Sequence, residues 1–485
     1  MIETLIRRPL RQAVFFVRVD RRPWLLLGIA ILVQVLVCFT GNTVVILLGG
    51  TLPLVGLAVY GATASTHKGQ DISIYLLVAT LMSAFQNVYL GLMTPWLSES
   101  AVKGLIVLNF VFAAGLLLAL MVLGRGAIGK AAWQTLAIVL GIALIVFVYG
   151  MVQAVAQSVD LLVAFAAARN LTSPFLFLAL GLVAATWTTA ARYMQYVVYL
   201  AIACVFFGVL ESLIPGFWGA LNLDHLWELK SIPVNPDTGL PGNFYSSERV
   251  AGEPIRRMVG PFADPVNLGS FLFVALVSAW FLRKRAALVI IAIGTTAAVS
   301  KGALLTAIVW LIFWANAVVK RIVFWILCGA AALGAVGFYI YTLIGSSGST
   351  QAHIDGFLAA IIELPAHPWG SGFGSVGVMS GLLNTSEVRD SGISESGLGV
   401  VIGQLGVIGL VAYIALYIGL FWLSARLPEK RERILAYTLT AAFFLNSAFN
   451  EVALSPHSSA TYFLLLGLLL GQVATRARQY GRLDL

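Results

Sequence analysis

The chain has 485 residues, 60% of them hydrophobic and only 11% charged, with a mean hydropathy of +0.93. A soluble domain carries roughly 25% charged residues, and disorder needs low hydrophobicity with high net charge, so both classes are excluded. The net charge of +9 does not point to nucleic acid, because the Lys and Arg residues lie between apolar runs rather than on one polar face.

The expected fold is all-α: a polytopic integral membrane protein forming a single membrane domain over 1–485. A hydrocarbon core about 30 Å thick needs ~20 apolar residues per helix. Runs of that kind occur at 23–40, 43–62, 72–95, 104–123, 131–152, 172–190, 194–213, 266–282, 286–299, 303–319, 322–343, 399–424, 434–453 and 458–475, which predicts about 14 (12–14) transmembrane helices. The Arg-rich segment before the first run reads as the flank of an uncleaved signal-anchor helix that also holds anionic headgroups. Gln86 and Asn87, inside the third run, read as polar bridges between helices. The runs 286–299 and 303–319 are short, separated only by Ser300-Lys301-Gly302, and read as a shallow hairpin or as helices whose depth neighbours complete. Cys38, Cys204 and Cys328 all lie inside apolar runs, so neither a disulfide framework nor a Cys-based zinc site is implied.

With the N-terminus in the cytoplasm, 22 of the 30 Lys and Arg residues fall on the inner side, which predicts that both termini are cytoplasmic. Most acidic residues, and His225, His353, His367 and His457, then lie outside or at outer helix ends. Two connections are long, 214–265 and 344–398, and both are expected on the extracytoplasmic face; loops beyond ~12–15 residues usually carry function or are disordered. Within the second, Ile354, Phe357, Leu358, Ile361 and Ile362 repeat at helical spacing, which predicts a short amphipathic interfacial helix over 353–364. Gly370, Gly372 and Gly374 predict a turn where backbone approaches a ligand closely.

Four stretches resemble one family. Arg257-Met-Val-Gly260-Pro-Phe-Ala-Asp264-Pro265-Val-Asn267-Leu-Gly is similar to the R-x-x-G-x-F-x-(N/D)-P-N-x-(A/G) stretch of the O-antigen ligase/polymerase superfamily. Ser300-Lys301-Gly302-Ala303 resembles its S-R-G-A, with Lys for Arg. His367-Pro368-Trp369-Gly370-Ser-Gly372-Phe-Gly374 resembles H-P-x-x-G-x-G. Glu395-Ser396, then nine residues, then Gly406-Val-Ile-Gly409 resembles the closing H-(N/S/Q)-x9-G-x-x-(G/T/Y) of the ligases, with Glu where they carry the proposed catalytic His. The resemblance covers about 255–412 and, through that substitution, tilts toward the Wzy-type polysaccharide polymerases. It implies a bacterial inner-membrane enzyme facing the periplasm, an O-antigen or exopolysaccharide polymerase. Such an enzyme moves a glycan from undecaprenyl diphosphate to a sugar hydroxyl of another lipid-linked repeat unit, by inversion and with no metal or cofactor. The rivals are an O-antigen ligase transferring to lipid A core and, from another class, a flippase for lipid-linked oligosaccharide. The implied partners are the lipid-linked glycan, membrane lipids and a chain-length regulator, with no nucleic acid.

This chemistry asks for cations on the diphosphate, a base for the acceptor hydroxyl and a greasy lateral opening for the lipid. Arg257 is the first candidate for the diphosphate, because a guanidinium matches phosphate oxygens bidentately. Arg256, Lys301 and Arg389 follow; an ion pair with Asp264 is the plain alternative for Lys301. Glu395 is the candidate base, in competition with His353. The plain readings are a charge placed against a helix dipole for Glu395 and a surface histidine for His353. Asp264, Asn267, His367, Asn450 and Glu451 are candidate substrate contacts, with helix capping the alternative for Asn450 and Glu451.

Overall fold

The computed structural model describes residues 22–250, 253–344, 348–377 and 396–479. Nine helices open the chain: α1 (Arg22–Cys38), α2 (Thr43–Lys68), α3 (Ser73–Ala84), α4 (Gln86–Met93), α5 (Glu99–Leu105), α6 (Leu108–Leu123), α7 (Lys130–Ala156), α8 (Leu161–Ala184) and α9 (Ala190–Leu213). The first long loop holds α10 (Phe217–Ala220), α11 (Leu223–Leu229) and two antiparallel hairpins, β1 (Val234–Asn235) with β2 (Leu240–Pro241) and β3 (Tyr245–Val250) with β4 (Glu253–Arg256). Then come α12 (Pro265–Phe281), α13 (Arg285–Ala297), α14 (Lys301–Val318), α15 (Arg321–Ile344), α16 (Gly348–Glu363), α17 (Gly397–Ala425), α18 (Lys430–Phe449) and α19 (Pro456–Gln479).

The chain is therefore overwhelmingly helical and apolar, the makings of an all-α membrane protein. By length and composition, six helices among the described residues can cross a bilayer, with α5 and α6 counted as one. A bent pair, α3 with α4, makes a seventh. Shorter apolar helices, α1, α12, α13 and α14 among them, occupy further expected runs.

The centre of the bundle is built from α8, α12 and α19. Long stretches of each are buried on every side, which places them inside the bundle. Phe271, Leu272, Phe273, Val274 and Ala275 of α12 are all fully buried or nearly so. Side chains such as Leu25 and Leu32 of α1, Ile138 and Leu144 of α7 and Ile322 and Trp325 of α15 stay exposed, as a lipid-facing surface requires.

Three helices are broken, and each break releases backbone carbonyls. The α3–α4 pair bends by 61° at Phe85. Between α5 and α6, Asn109 Oδ1 takes the Phe110 amide (2.8 Å), so Ile106 O is left without its usual helical donor. In α17, Gly406 sits at φ 59, ψ −143.

The stretch His367–Gly374 explains the third break. It is a strap laid along α17: Gly403 O accepts from the Ser371 amide (3.0 Å), Gln404 O from the Gly372 amide (2.8 Å), and Pro368 O from the Val407 amide (2.8 Å). Gly370, Gly372 and Gly374 all have positive φ. A methyl on Gly370 would lie 2.5 Å from Gln404 O, and methyls on Gly372 and Gly374 would meet Ala154 of α7 and Val163 of α8. These glycines therefore admit neighbouring helices; the expectation that they admit a ligand is corrected, because helix backbone already fills that space.

Other boundaries also moved. The run expected at 172–190 is a helix from Leu161, because Asp160 Oδ1 caps it through the Leu162 and Val163 amides (2.8 and 3.2 Å). Arg169, which precedes the expected run, consequently stands in the third turn of α8. The short pair α13–α14 is completed by the first long loop, whose Met258 amide bonds Ala297 O (2.9 Å). The expected amphipathic helix is α16: Leu358, Ile361 and Ile362 are exposed while Gly356 and Ala360 are buried, and Gly356 O lies against Gly399 of α17.

Candidate functional site

The first long loop is held down by one buried carboxylate. Glu211, 4% exposed at the end of α9, accepts from Arg256 Nη2 (2.7 Å), Trp218 Nε1 (3.1 Å) and the Val259 amide (3.0 Å). Trp218, Trp227 and Phe244 close an aromatic nest around it. Arg256 also stacks on Phe244, 4.9 Å from the ring centroid. Its guanidinium is thus engaged in anchoring the loop.

That anchor sets Arg257. Its backbone amide bonds Phe244 O (2.9 Å), and its side chain reaches the other way, Nε to Ala298 O (3.2 Å) and Nη1 to Asn243 O (3.2 Å). Asp264 caps α12 through the Asn267 amide (2.7 Å) and accepts from Asn243 Nδ2 (2.8 Å). Burial lowers the Arg257 pKa, opposed by the Asp264 charge. Burial likewise raises the Asp264 pKa, against the Asn267 amide and Arg257. Asp264 is thus coupled to Arg257. Asn267 Oδ1 accepts from Ser458 Oγ (2.7 Å) and ties α12 to α19.

Beside this lies a group of cations that reading the sequence did not select. Arg169 is 8% exposed. Its Nη1 donates to Ile106 O (3.0 Å), the carbonyl released between α5 and α6, and its Nη2 to Asn170 Oδ1 (3.0 Å). Gln86 Nε2 donates to the same Ile106 O (2.7 Å). Lys230, after α11, donates to Asn87 Oδ1 (2.7 Å). Asn87 Nδ2 in turn donates to Phe262 O (2.5 Å), inside the stretch that begins at Arg257. His457, in the first turn of α19, bonds Ser83 O (2.7 Å), a carbonyl at the α3–α4 break; since a carbonyl only accepts, Nδ1 carries the proton.

Arg169 is close enough for its charge to act on both Lys230 and His457. The hydrogen bonds of Arg169 and Lys230 all go to neutral carbonyl and amide groups. Burial first, and then the Arg169 charge, lowers the Lys230 pKa to about 8. Burying cations without an anion is costly, and among the described residues no carboxylate bonds Arg169 or Lys230, so the arrangement is suited to an anion. Two side-chain signals existed for it: Asp160 as a helix cap, which would have moved Arg169 into α8, and the polar pair Gln86-Asn87. Nothing around Lys230 marked it.

Asn450 lies at the start of α17, its carbonyl against Gly397. Ser396 caps that helix through the Gly399 amide (3.0 Å) and donates to Ala448 O (2.6 Å). Asn450 caps the turn 451–454 through the Val452 amide (3.1 Å), and the Glu451 carboxylate lies against Gly377. Lys301 opens α14, half-buried, with Ser300 as its cap. His353 is half-buried on α16, whereas His367 is exposed in the turn that follows it. Arg389 and Glu395 lie outside the described residues. Among those described, no three His, Cys, Asp or Glu side chains converge as a metal site would need. The chain matches no protein-family model and no curated protein.

Proposed function

We propose that the chain is an integral membrane glycosyltransferase that polymerises lipid-linked repeat units on the extracytoplasmic face of the bacterial inner membrane. About fourteen spans and two cytoplasmic termini complete this reading. The observation that carries it is the Arg169–Lys230–His457 group, with Arg169 buried, Lys230 and His457 half-buried, and no carboxylate on Arg169 or Lys230 among the described residues. A diphosphate supplies the missing negative charge, and fixed donors in a dry site stabilise the charge that develops as it leaves. In the reaction, the acceptor hydroxyl oxygen forms the new glycosidic bond while the bond from the sugar carbon to phosphate oxygen breaks. The electron pair leaves with undecaprenyl diphosphate, and the hydroxyl proton passes to a base, for which Glu395 is proposed. Arg257 and Arg169 hold the diphosphate, and Lys230 adds charge from the loop side. Lys301 and Arg389 are supporting cations. The exposed apolar face of α16 lies where a lipid tail would enter. A chain-length regulator is the proposed protein partner.

The test is product analysis with the purified protein and a lipid-linked repeat unit. Longer glycans still carrying diphosphate-lipid support a polymerase. Transfer only when lipid A core is supplied would assign a ligase, and transport without bond formation would overturn the reading. Glu395→Gln keeps shape and removes basicity, so it is expected to lower turnover by about 10²–10⁴-fold. If His353→Ala alone has that effect, His353 is the base.

A further inference from the structure

At the end of the bundle opposite Asp264, the turn joining α12 to α13 meets the turn joining α17 to α18. One carbonyl organises the meeting. Trp280 O accepts both the Arg283 amide (3.1 Å) and Arg431 Nη2 (2.6 Å), which fixes the Arg431 guanidinium at the foot of the Arg283 turn. That guanidinium also lies over the Trp280 and Phe281 rings, 4.9 and 5.3 Å from their centroids. Lys284 is fixed in the same manner, its ammonium 4.2 Å from the Tyr199 ring centroid and donating to Tyr199 Oη (3.1 Å). Arg283 itself sits at φ 59, in the left-handed region that disfavours a side chain.

The ordinary preference for Lys and Arg on one membrane face explains why cations are present here. It does not explain why two of them are immobilised on aromatic shelves, where a surface cation would keep its hydration and its rotamers. An Arg has five N–H donors, and among the described residues the Arg431 side chain donates one hydrogen bond, to Trp280 O. Trp and Tyr rings mark headgroup depth, and basic pockets between helices at that depth suit anionic headgroups.

We infer that Arg283, Lys284 and Arg431 form a binding site for the phosphate of an anionic phospholipid headgroup, on the membrane face opposite the candidate transfer site. This inference is independent of the transferase reading.

Native mass spectrometry of the full-length protein in non-ionic detergent tests it. The protein is titrated with phosphatidylglycerol, with phosphatidylcholine of the same acyl chains, and with inorganic phosphate. The wild type is expected to retain phosphatidylglycerol preferentially. Arg283→Gln/Arg431→Gln is expected to lose that lipid by roughly 30-fold in apparent affinity, in protein that remains folded. If the double variant does not fold, Lys284→Gln is expected to weaken the same retention by roughly fivefold. Equal retention of the two lipids by the wild type, or an undiminished preference in the variants that fold, overturns the site. Displacement of phosphatidylglycerol by millimolar inorganic phosphate would overturn the lipid as its source and assign a free anion.

Discussion

Single side chains separate the anchoring role from the proposed binding role in this protein. Arg256 and Arg257 are neighbours in sequence, yet one is neutralised by Glu211 and the other is coupled to Asp264. Arg169→Met keeps most of the side chain's bulk and removes its charge. It is expected to reduce glycan transfer by about 10²-fold or more in protein that still folds; unchanged transfer would make Arg169 a plug for the carbonyl of Ile106 alone. Lys230 carries the pH dependence. Because its folded-state pKa is lowered to about 8, its positive charge is lost as pH rises through that value, and donor affinity is expected to fall there. Lys230→Arg, which stays charged, should move the inflection out of that range in a plot of KM against pH. Asn87→Asp places a carboxylate where the Lys230 ammonium now meets an amide 2.7 Å away. Its expected effect is a higher donor KM, because the site loses its excess charge; the carboxylate also forfeits the amide's donation to Phe262 O, so no gain in melting temperature is expected.

At the level of elements, the breaks in helices do the positioning. A break inside a bilayer is tolerated only when its freed polar groups find partners. Here Arg169 and Gln86 fill the α5–α6 break, His457 that of α3–α4, and the strap that of α17. The motif glycines of the strap and Gly406 of α17 are thus two halves of one packing device, which explains why they occur together. Gly370→Ala is expected to destabilise strongly, since its methyl would overlap backbone at Gln404. Gly41→Ala is the matched control: Gly41 has φ 63 and open space around it, so it should cost only the left-handed term of about 1–2 kcal/mol. Thermal unfolding in detergent of the two variants checks the difference; equal losses would mean that the strap is not tightly seated.

For the whole molecule, the consequence is directional. The candidate site and the first long loop occupy one end of the bundle, and the basic turns around Arg283 and Arg431 occupy the other. With its native cysteines replaced by serine, the protein bearing Asp237→Cys, in the exposed β1–β2 turn, is expected to react with a membrane-impermeant maleimide in spheroplasts. Arg285→Cys is expected to react only after lysis. The reverse pattern would invert the orientation and remove the extracytoplasmic transferase reading.

Apolar runs of membrane length and their punctuation were legible in the sequence, because burying backbone in hydrocarbon demands long, uninterrupted apolar helices. The first long loop and the amphipathic α16 could be read for the same local reasons. What tertiary structure alone decided is which charges are compensated. Glu211 is 45 residues from Arg256 in sequence, Asn87 is 143 from Lys230 and Ser83 is 374 from His457. No local pattern encodes such pairings. Whether an arginine anchors a loop or awaits an anion depends on whether a carboxylate from a distant helix arrives beside it, and only the packed bundle settles that.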